Sequence, residues 1–393
     1  MTSVLDTLNP QQVGERLRIA REAVKLKQQQ AADAIGVART TLVAIEQGQR
    51  KVKLEEVRAL AQVYRSSVNA LLRQEAVHAD LLPRFRKLGR SYPEAVDRAA
   101  VLLNHLAQGE CELENLLGVK RTQNYPPERM IMPGDVRIQA EQDALELRQW
   151  LGLGMGPIRD VVGILEMQLG VRVYIRPLPS EVSGLFAYDH ATGACMLINA
   201  AHRRTRRNAT AAHELAHLVT RQTAEVFDKT TNDDIREERY AHVFSRSFLM
   251  PARTAMEQFK EITAGATNLT RRHVIELAHL FGVSREFAVR RLEELQLVRA
   301  GAWDWFEKNG SITDEQERDV LGDRLPLDDD GESARQPTTA RLALLASAAW
   351  KQGLLSEGQL ADLLKIDRVE LRRLLQDGDA EGSTGNDAPE LLA

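Results

Sequence analysis

Residues 208–220 hold two histidines and a carboxylate in one short run, His213-Glu214-Leu215-Ala216-His217. On a helix, side chains four residues apart share a face, so both imidazoles project the same way and can chelate one metal ion. Glu214 stands beside the first ligand and three residues before the second, within reach of a water on the metal rather than of the metal. Leu215, Leu218 and Val219 line the other side, as a helix sunk in a core requires. The alternative is two histidines on an ordinary buried helix.

A catalytic ion held by two histidines needs a third protein ligand and an open fourth position. The candidate is Glu238, in the stretch Ile235–Pro251. Glu237 competes with it, its other reading being a solvated helix surface. His242 follows Glu238 by four residues on the same face, where it can hold a ligating histidine in one tautomer. His190 and His202 read as solvated. Only Cys111 and Cys195 occur, far apart, which excludes a disulfide framework and a cysteine metal site.

Around this centre, residues 140–300 resemble the ImmA/IrrE family of zinc-dependent endopeptidases. The resemblance rests on Leu151-Gly-Leu-Gly-Met-Gly-Pro157-Ile158, Asp160-Val-Val-Gly-Ile-Leu165, Gly170-Val-Arg-Val173, the His213–His217 stretch and Phe244…Leu249-Met250-Pro251. Glu238, Ala241 and Phe244 fit the family's Glu-x-x-Ala-Asn/Asp-x-Phe-Ala run, whereas His242 and Ser245 replace Asn/Asp and Ala. The resemblance implies a gluzincin-like α+β domain, a Zn2+ ion (or Mn2+ in its place) on His213, His217 and Glu238, and Glu214 as general base. It also implies a repressor-type helix-turn-helix protein as substrate. Tyr188 and Tyr240 are the candidates for stabilising the oxyanion.

A second organised region lies at the N-terminus. Val13, Leu17, Ala20 and Val24 keep helical spacing, and Gly36 and Gly48 close two further short helices. With Leu54–Val63 and Ser67–Leu72 this makes five. The pattern resembles the Cro/repressor-type helix-turn-helix family over residues 11–74, through Gln28-Gln-Gln-Ala-Ala32, Gly36-Val-Ala-Arg-Thr-Thr41, Ile45-Glu-Gln-Gly48 and Leu60-Ala61. In such modules the second helix of the pair enters the major groove by its N-terminal residues. Carried over, Arg39, Thr40 and Thr41 face base edges and Gln28 and Gln29 the groove edge. Arg50, Lys51 and Lys53 meet phosphates. The partner implied is operator DNA, bound by a homodimer on a palindromic site; the alternative is a module that binds protein.

Charge supports this division. Residues 1–75 carry 12 Lys/Arg against 8 Asp/Glu, and residues 311–393 carry 9 against 18. A basic front and an acidic back suggest that only the front faces nucleic acid. No apolar run approaches a membrane-spanning length and no signal-peptide pattern opens the chain, so a cytoplasmic protein without a membrane partner is expected.

The remaining segments complete the expected architecture. Val171–Arg176 alternates as a half-exposed strand does, and Gly184–Tyr188 with Ala194–Asn199 reads as a hairpin. A short sheet beside a metal helix offers an edge along which an extended peptide can dock. Asn208-Ala-Thr210 reads as the cap region of the metal helix, and Arg203, Arg204, Arg206 and Arg207 as a solvated approach to it or, alternatively, a docking point for an acidic substrate. Residues 271–296 read as a winged-helix-like pair, expected to be a packing support for the metal site rather than a second DNA reader. Asp328–Pro337 reads as an acidic linker, and no internal repeat stands out.

The fold expected is thus mainly α with a small β-sheet. It comprises an N-terminal five-helix helix-turn-helix domain (1–75), a helical connector and linker (76–135) and the α+β metallopeptidase domain (136–300). A helical C-terminal region (301–375) and a tail (376–393) follow. The function expected is a DNA-binding transcriptional regulator with a zinc endopeptidase that cleaves a repressor in a stress or mobile-element response. Its rivals are a non-proteolytic metal-containing sensor and an antitoxin-like regulator with a structural metal site.

Overall fold

The computed structural model describes residues 9–24, 26–64, 68, 71, 94–189, 192–220, 236–322 and 338–380. The expected fifth N-terminal helix, His190 and the Asp328–Pro337 linker lie wholly or mostly outside them. The chain divides into two units. One comprises residues 1–80, 104–122 and 337–393, and the other residues 81–103 and 123–336.

In the first unit, α1 (Pro10–Ala23), α2 (Gln28–Ala34), α3 (Arg39–Glu46) and α4 (Leu54–Val63) follow in sequence. Asn9 caps α1 through the Gln11 N–H at 3.0 Å, with Pro10 at the first helical position, where its missing N–H costs nothing. α3 packs against α1 and α2. The crossing is close enough that a Cβ on Gly14 would lie 2.4 Å from the Ile45 carbonyl oxygen, so only glycine fits there. Val13, Leu17, Leu42 and Ile45 fill the core, and Arg21 is paired with Glu46 inside it at 2.7 Å. Helix α5 (Glu94–Leu117) follows, its residues from Asn104 onward belonging to this unit.

The second unit is built on a three-stranded sheet in the order β1-β3-β2. β1 (Arg172–Arg176) runs parallel to β3 (Gly193–Asn199), and β2 (Gly184–Asp189) pairs antiparallel with β3 in the expected hairpin. β2 is thus an edge strand. Helix α6 (Val136–Trp150) precedes the sheet, together with a short helix α7 (Val161–Gly163) that widens into a π-helical turn over Ile164–Gln168. After the sheet come α8 (Arg204–Thr220), α9 (Arg236–Leu249), α10 (Ala252–Thr263), α11 (Arg271–Phe281), α12 (Arg285–Glu294), α13 (Ala302–Lys308) and α14 (Asp314–Leu321). α9 lies between α6 and α8, and α8 packs on β2 and β3.

One apolar core joins these elements, including Leu147, Phe186, Met196, Leu215, Phe244 and Phe281. Two buried arginines tie loops to it. The Arg148 guanidinium donates to the carbonyls of Gly154 (2.8 Å), Gly156 and Phe248. Arg291 donates to the Met250 carbonyl at 3.0 Å and pairs with Glu141. Buried charges of this kind hold only because their donors are satisfied.

The last three helices, α15 (Ala340–Lys351), α16 (Glu357–Leu364) and α17 (Arg368–Ala380), belong to the first unit. The architecture is mainly helical with one small sheet, as expected.

Candidate metal centre

Helix α8 begins at Arg204, four residues before Asn208, so Asn208 is not its cap. Asn208 is a buried residue within the helix, and its amide donates to the Arg159 carbonyl at 2.9 Å. Of the arginines before it, Arg203 is exposed, as a solvated approach requires, whereas Arg204 and Arg206 are half-buried and Arg207 is buried. Arg203 pairs with Asp314 at 2.5 Å, and Arg206 donates to Ser183 Oγ at 3.2 Å.

His213 and His217 lie on one face of α8, with their Nε2 atoms 3.4 Å apart. Glu238 comes from the first turn of α9 and reaches both, with Oε2 3.4 Å from His213 Nε2 and Oε1 3.8 Å from His217 Nε2. Glu238, rather than Glu237, therefore completes the cluster, whose donor atoms all lie within 4.8 Å of one another. A tetrahedral ion with ligand bonds of about 2.0–2.1 Å has ligand-to-ligand edges of about 3.3 Å. The observed spacings fit that figure. Burial holds both imidazoles in their neutral, ligating form. His213 is pushed down to about 4 by burial, then by Arg246; His217 falls well below the usual histidine range by burial, then through His213 and His242. The His242 ring sits one turn beyond Glu238, its centroid 4.8 Å from that of His213.

Glu214 is 1% exposed, and its Oε2 has no hydrogen-bond partner among the described residues. Burial, and then the charge of Glu238, raise its carboxyl above the usual range. Leaving such a group unpaired costs roughly 1–3 kcal/mol or more. The cost is met if a proton donor, such as a water on a metal ion, occupies the space beside it. The donor set and this orphaned oxygen together fit a catalytic divalent ion better than a closed structural one.

Gly184 and Asn199 are site residues that sequence reasoning missed. A Cβ on Gly184, the first residue of β2, would lie 2.8 Å from Glu214 Oε1 and 2.6 Å from Thr210 Cγ2. Only a glycine lets the edge strand come this close to the carboxylate. Asn199, fully buried at the end of β3, shapes the loop leading to Gly184. Its side chain accepts from the Leu178 and Ala201 N–H groups and donates to the Leu178, Pro179 and Val182 carbonyls. A glycine opening an apolar strand was the available signal for the first; nothing local marked the second.

The two candidate tyrosines are both engaged elsewhere. Tyr240 is buried and donates to Asp143 Oδ2 at 2.8 Å, a core bond between α9 and α6. Tyr188 packs edge-on against Tyr125, four residues along β2 from Gly184, or about 13 Å at strand rise.

In the N-terminal module Arg39 and Thr40 are exposed at the start of α3, and Thr41 is half-buried. Lys51 and Lys53 are exposed, as is Gln29, whose amide donates to Asp33. Two other expected contacts are engaged within the module. Gln28 donates to Glu46 Oε2 at 2.8 Å, and Arg50 pairs with Glu56 at 2.9 Å.

This fold and site define a helix-turn-helix regulator joined to a metallopeptidase-type domain. Residues 166–293 match the family model described as the IrrE N-terminal-like domain, of the peptidase family M78, and residues 12–74 match a helix-turn-helix domain. The chain is a fusion of a helix-turn-helix domain with an ImmA/IrrE-like domain. No curated protein matches it. Among solved structures, ComR from Streptococcus suis aligns over 97% of each chain at 11% identity, with a TM-score of 0.16, too low to carry an argument. Among the described residues, no helix is long and apolar enough to cross a membrane.

Proposed function

We propose that the chain is a DNA-binding regulator whose second unit is a zinc-dependent endopeptidase directed at a repressor-type helix-turn-helix protein. The observation that carries the enzymatic reading is the unpartnered, buried Glu214 Oε2 beside the His213–His217–Glu238 cluster. A metal-containing sensor or a structural site has no use for an unsatisfied carboxylate, which only destabilises the fold.

His213, His217 and Glu238 would hold the ion. When bound, zinc supplies Lewis-acid polarisation of the scissile carbonyl and acidification of a water. Glu214 Oε2 takes the proton from the attacking water and returns it to the departing amine nitrogen. The open edge of β2 receives an extended peptide through main-chain hydrogen bonds, and Gly184 leaves room for Glu214 beneath it. His242 steadies the His213 ring. At the other end, Arg39, Thr40 and Thr41 read base edges while Lys51 and Lys53 meet phosphates.

The test is incubation of the purified protein, loaded with Zn2+ or Mn2+, with a repressor encoded beside its gene, followed by mass analysis of fragments. Wild type is expected to hold about one ion per chain and to cut. His213→Ala is expected to lose both the ion and cleavage, and Glu238→Ala to weaken the ion strongly while Glu237→Ala keeps it. Full metal occupancy with the repressor intact would remove the endopeptidase reading in favour of a sensor.

A further inference from the structure

Helices α15, α16 and α17 repeat the N-terminal module in a constant register. Ser356 stands where Lys27 stands, 329 residues on, and the same offset carries α1 onto α15, α2 onto α16 and α3 onto α17. The repeat is nearly invisible as identity, since only Gln30/Gln359, Ala32/Ala361, Asp33/Asp362, Arg39/Arg368 and Leu42/Leu371 match between residues 27–46 and 356–375. The backbone shows it bond by bond. Gln30 accepts from the Lys27 N–H at 2.9 Å, and Gln359 from the Ser356 N–H at 2.9 Å.

The turns repeat as well. The Val37 N–H reaches the Ala32 carbonyl at 3.0 Å, and the Ile366 N–H reaches that of Ala361 at 3.1 Å. The left-handed residue of each turn falls at the same place, Gly36 at φ 70° and Lys365 at φ 51°. The core positions correspond too: Val13, Leu17, Ala31, Leu42 and Ile45 are buried, and so are Leu342, Ala346, Leu360, Leu371 and Leu374. α17 packs against α15 and α16 as α3 packs against α1 and α2.

A helix pair of this kind need not read DNA, and α11–α12 is the counterexample. Its cations are spent inside the unit: Arg285 pairs with Asp314 at 2.6 Å, Arg290 with Asp304 at 2.6 Å, and Arg291 is buried on Glu141. The outer face of α17 differs. Arg368, Val369, Arg372 and Arg373 are exposed. Arg372 is paired with Glu357 at 3.0 Å, whereas neither Arg368 nor Arg373 makes an ion pair among the described residues.

Val369 is 61% exposed at the second position of the helix, a place that burial does not explain. An arginine and an aliphatic side chain at the start of a reading helix are the groups that recognise guanine and the thymine methyl. The acidity of the C-terminal region does not oppose this. Residues 338–376 carry Arg341, Lys351, Lys365, Arg368, Arg372 and Arg373 against Glu357, Asp362, Asp367 and Glu370. The excess of acid across residues 311–393 comes from the segments on either side.

We propose that residues 340–376 are a second helix-turn-helix that reads double-stranded DNA. Arg368 and Val369 meet base edges and Arg373 a phosphate, so one chain carries two reading helices.

The test uses the full-length protein. Duplexes are selected from a random pool by wild type, and binding and footprints are compared for wild type, Arg39→Ala and Arg368→Ala/Arg373→Ala. The substituted residues are exposed, and thermal melting checks that each variant folds. The double variant is expected to lose one of two protected major-groove stretches. Its slope of log K against log salt should fall by about one to two, while Arg39→Ala loses discrimination in the other stretch. Val369→Ala is expected to relax a thymine preference at one position without changing the slope. An unchanged sequence preference, footprint and salt slope in the double variant would overturn the proposal while leaving the N-terminal module standing. Failure of wild type to select any duplex would overturn both.

Discussion

The candidate metal centre and the N-terminal helix-turn-helix place their functional groups on opposite sides of the solvent boundary. Glu214 and His217 are almost wholly buried, whereas Arg39, Lys51 and Lys53 stand in water. A buried site depends on exact placement, because a neutral imidazole, an orphaned carboxylate and a glycine against an edge strand are each tolerated only in one geometry. An exposed reading helix depends instead on which of its cations the rest of the fold leaves open. Substitutions should therefore act on chemistry at the first site with little tolerance for shape, and on affinity and sequence preference at the second in smaller steps.

The largest expected effect is at Glu214. Glu214→Gln keeps the shape and the ion but cannot accept the proton, so cleavage should fall by roughly 10²–10⁴-fold with metal content and DNA affinity unchanged. Single-turnover cleavage and elemental analysis on the same preparation check it. Loss of the ion together with activity would make Glu214 a ligand and break the contrast.

Gly184→Val comes next. The new side chain runs into Thr210 and Glu214, and a displacement near 1 Å costs about 10²-fold in rate. The ion should be retained, and full activity would show that β2 has room to move.

At the DNA module the steps are smaller. Arg39→Ala should cost about 1–3 kcal/mol of discrimination at one base pair. Lys51→Ala should weaken specific and random duplexes alike and lower the salt slope by about one. Titrations at two salt concentrations separate them, and equal loss of specificity in both variants would remove the base-reading role of Arg39.

The smallest effect is expected at Arg285→Ala, on the helix pair whose cations are already paired. It gives up an ion pair with Asp314, which is half exposed, worth about 0–1 kcal/mol. DNA binding should not change; a drop in DNA affinity would turn α12 from a support into a third reading helix.

Much of this contrast was legible in the chain. The chelating face of α8 and the register of α2–α3 follow from spacings of three and four residues, and the hairpin of β2 and β3 follows from two short apolar runs about a turn. The C-terminal repeat escaped because its identities are few; what recurs is the capping glutamine, the left-handed residue and the buried positions, which tolerate many residue types. The bond from Tyr240 to Asp143 was hidden for another reason. A polar side chain looks the same in sequence whether it meets water or a buried partner, and Asp143 comes from a distant segment.

By itself the sequence determined the local geometry, namely two imidazoles on one helical face and a carboxylate beside them. Short-range periodicity and backbone sterics are enough for that. Only the tertiary structure decided that Glu238 rather than Glu237 turns toward the histidines, that Gly184 lies against Glu214, and that α12 is closed by carboxylates while α17 is open. Each of these depends on elements far apart in the chain meeting at a particular angle, which is set by how the whole core packs and not by any single stretch within it.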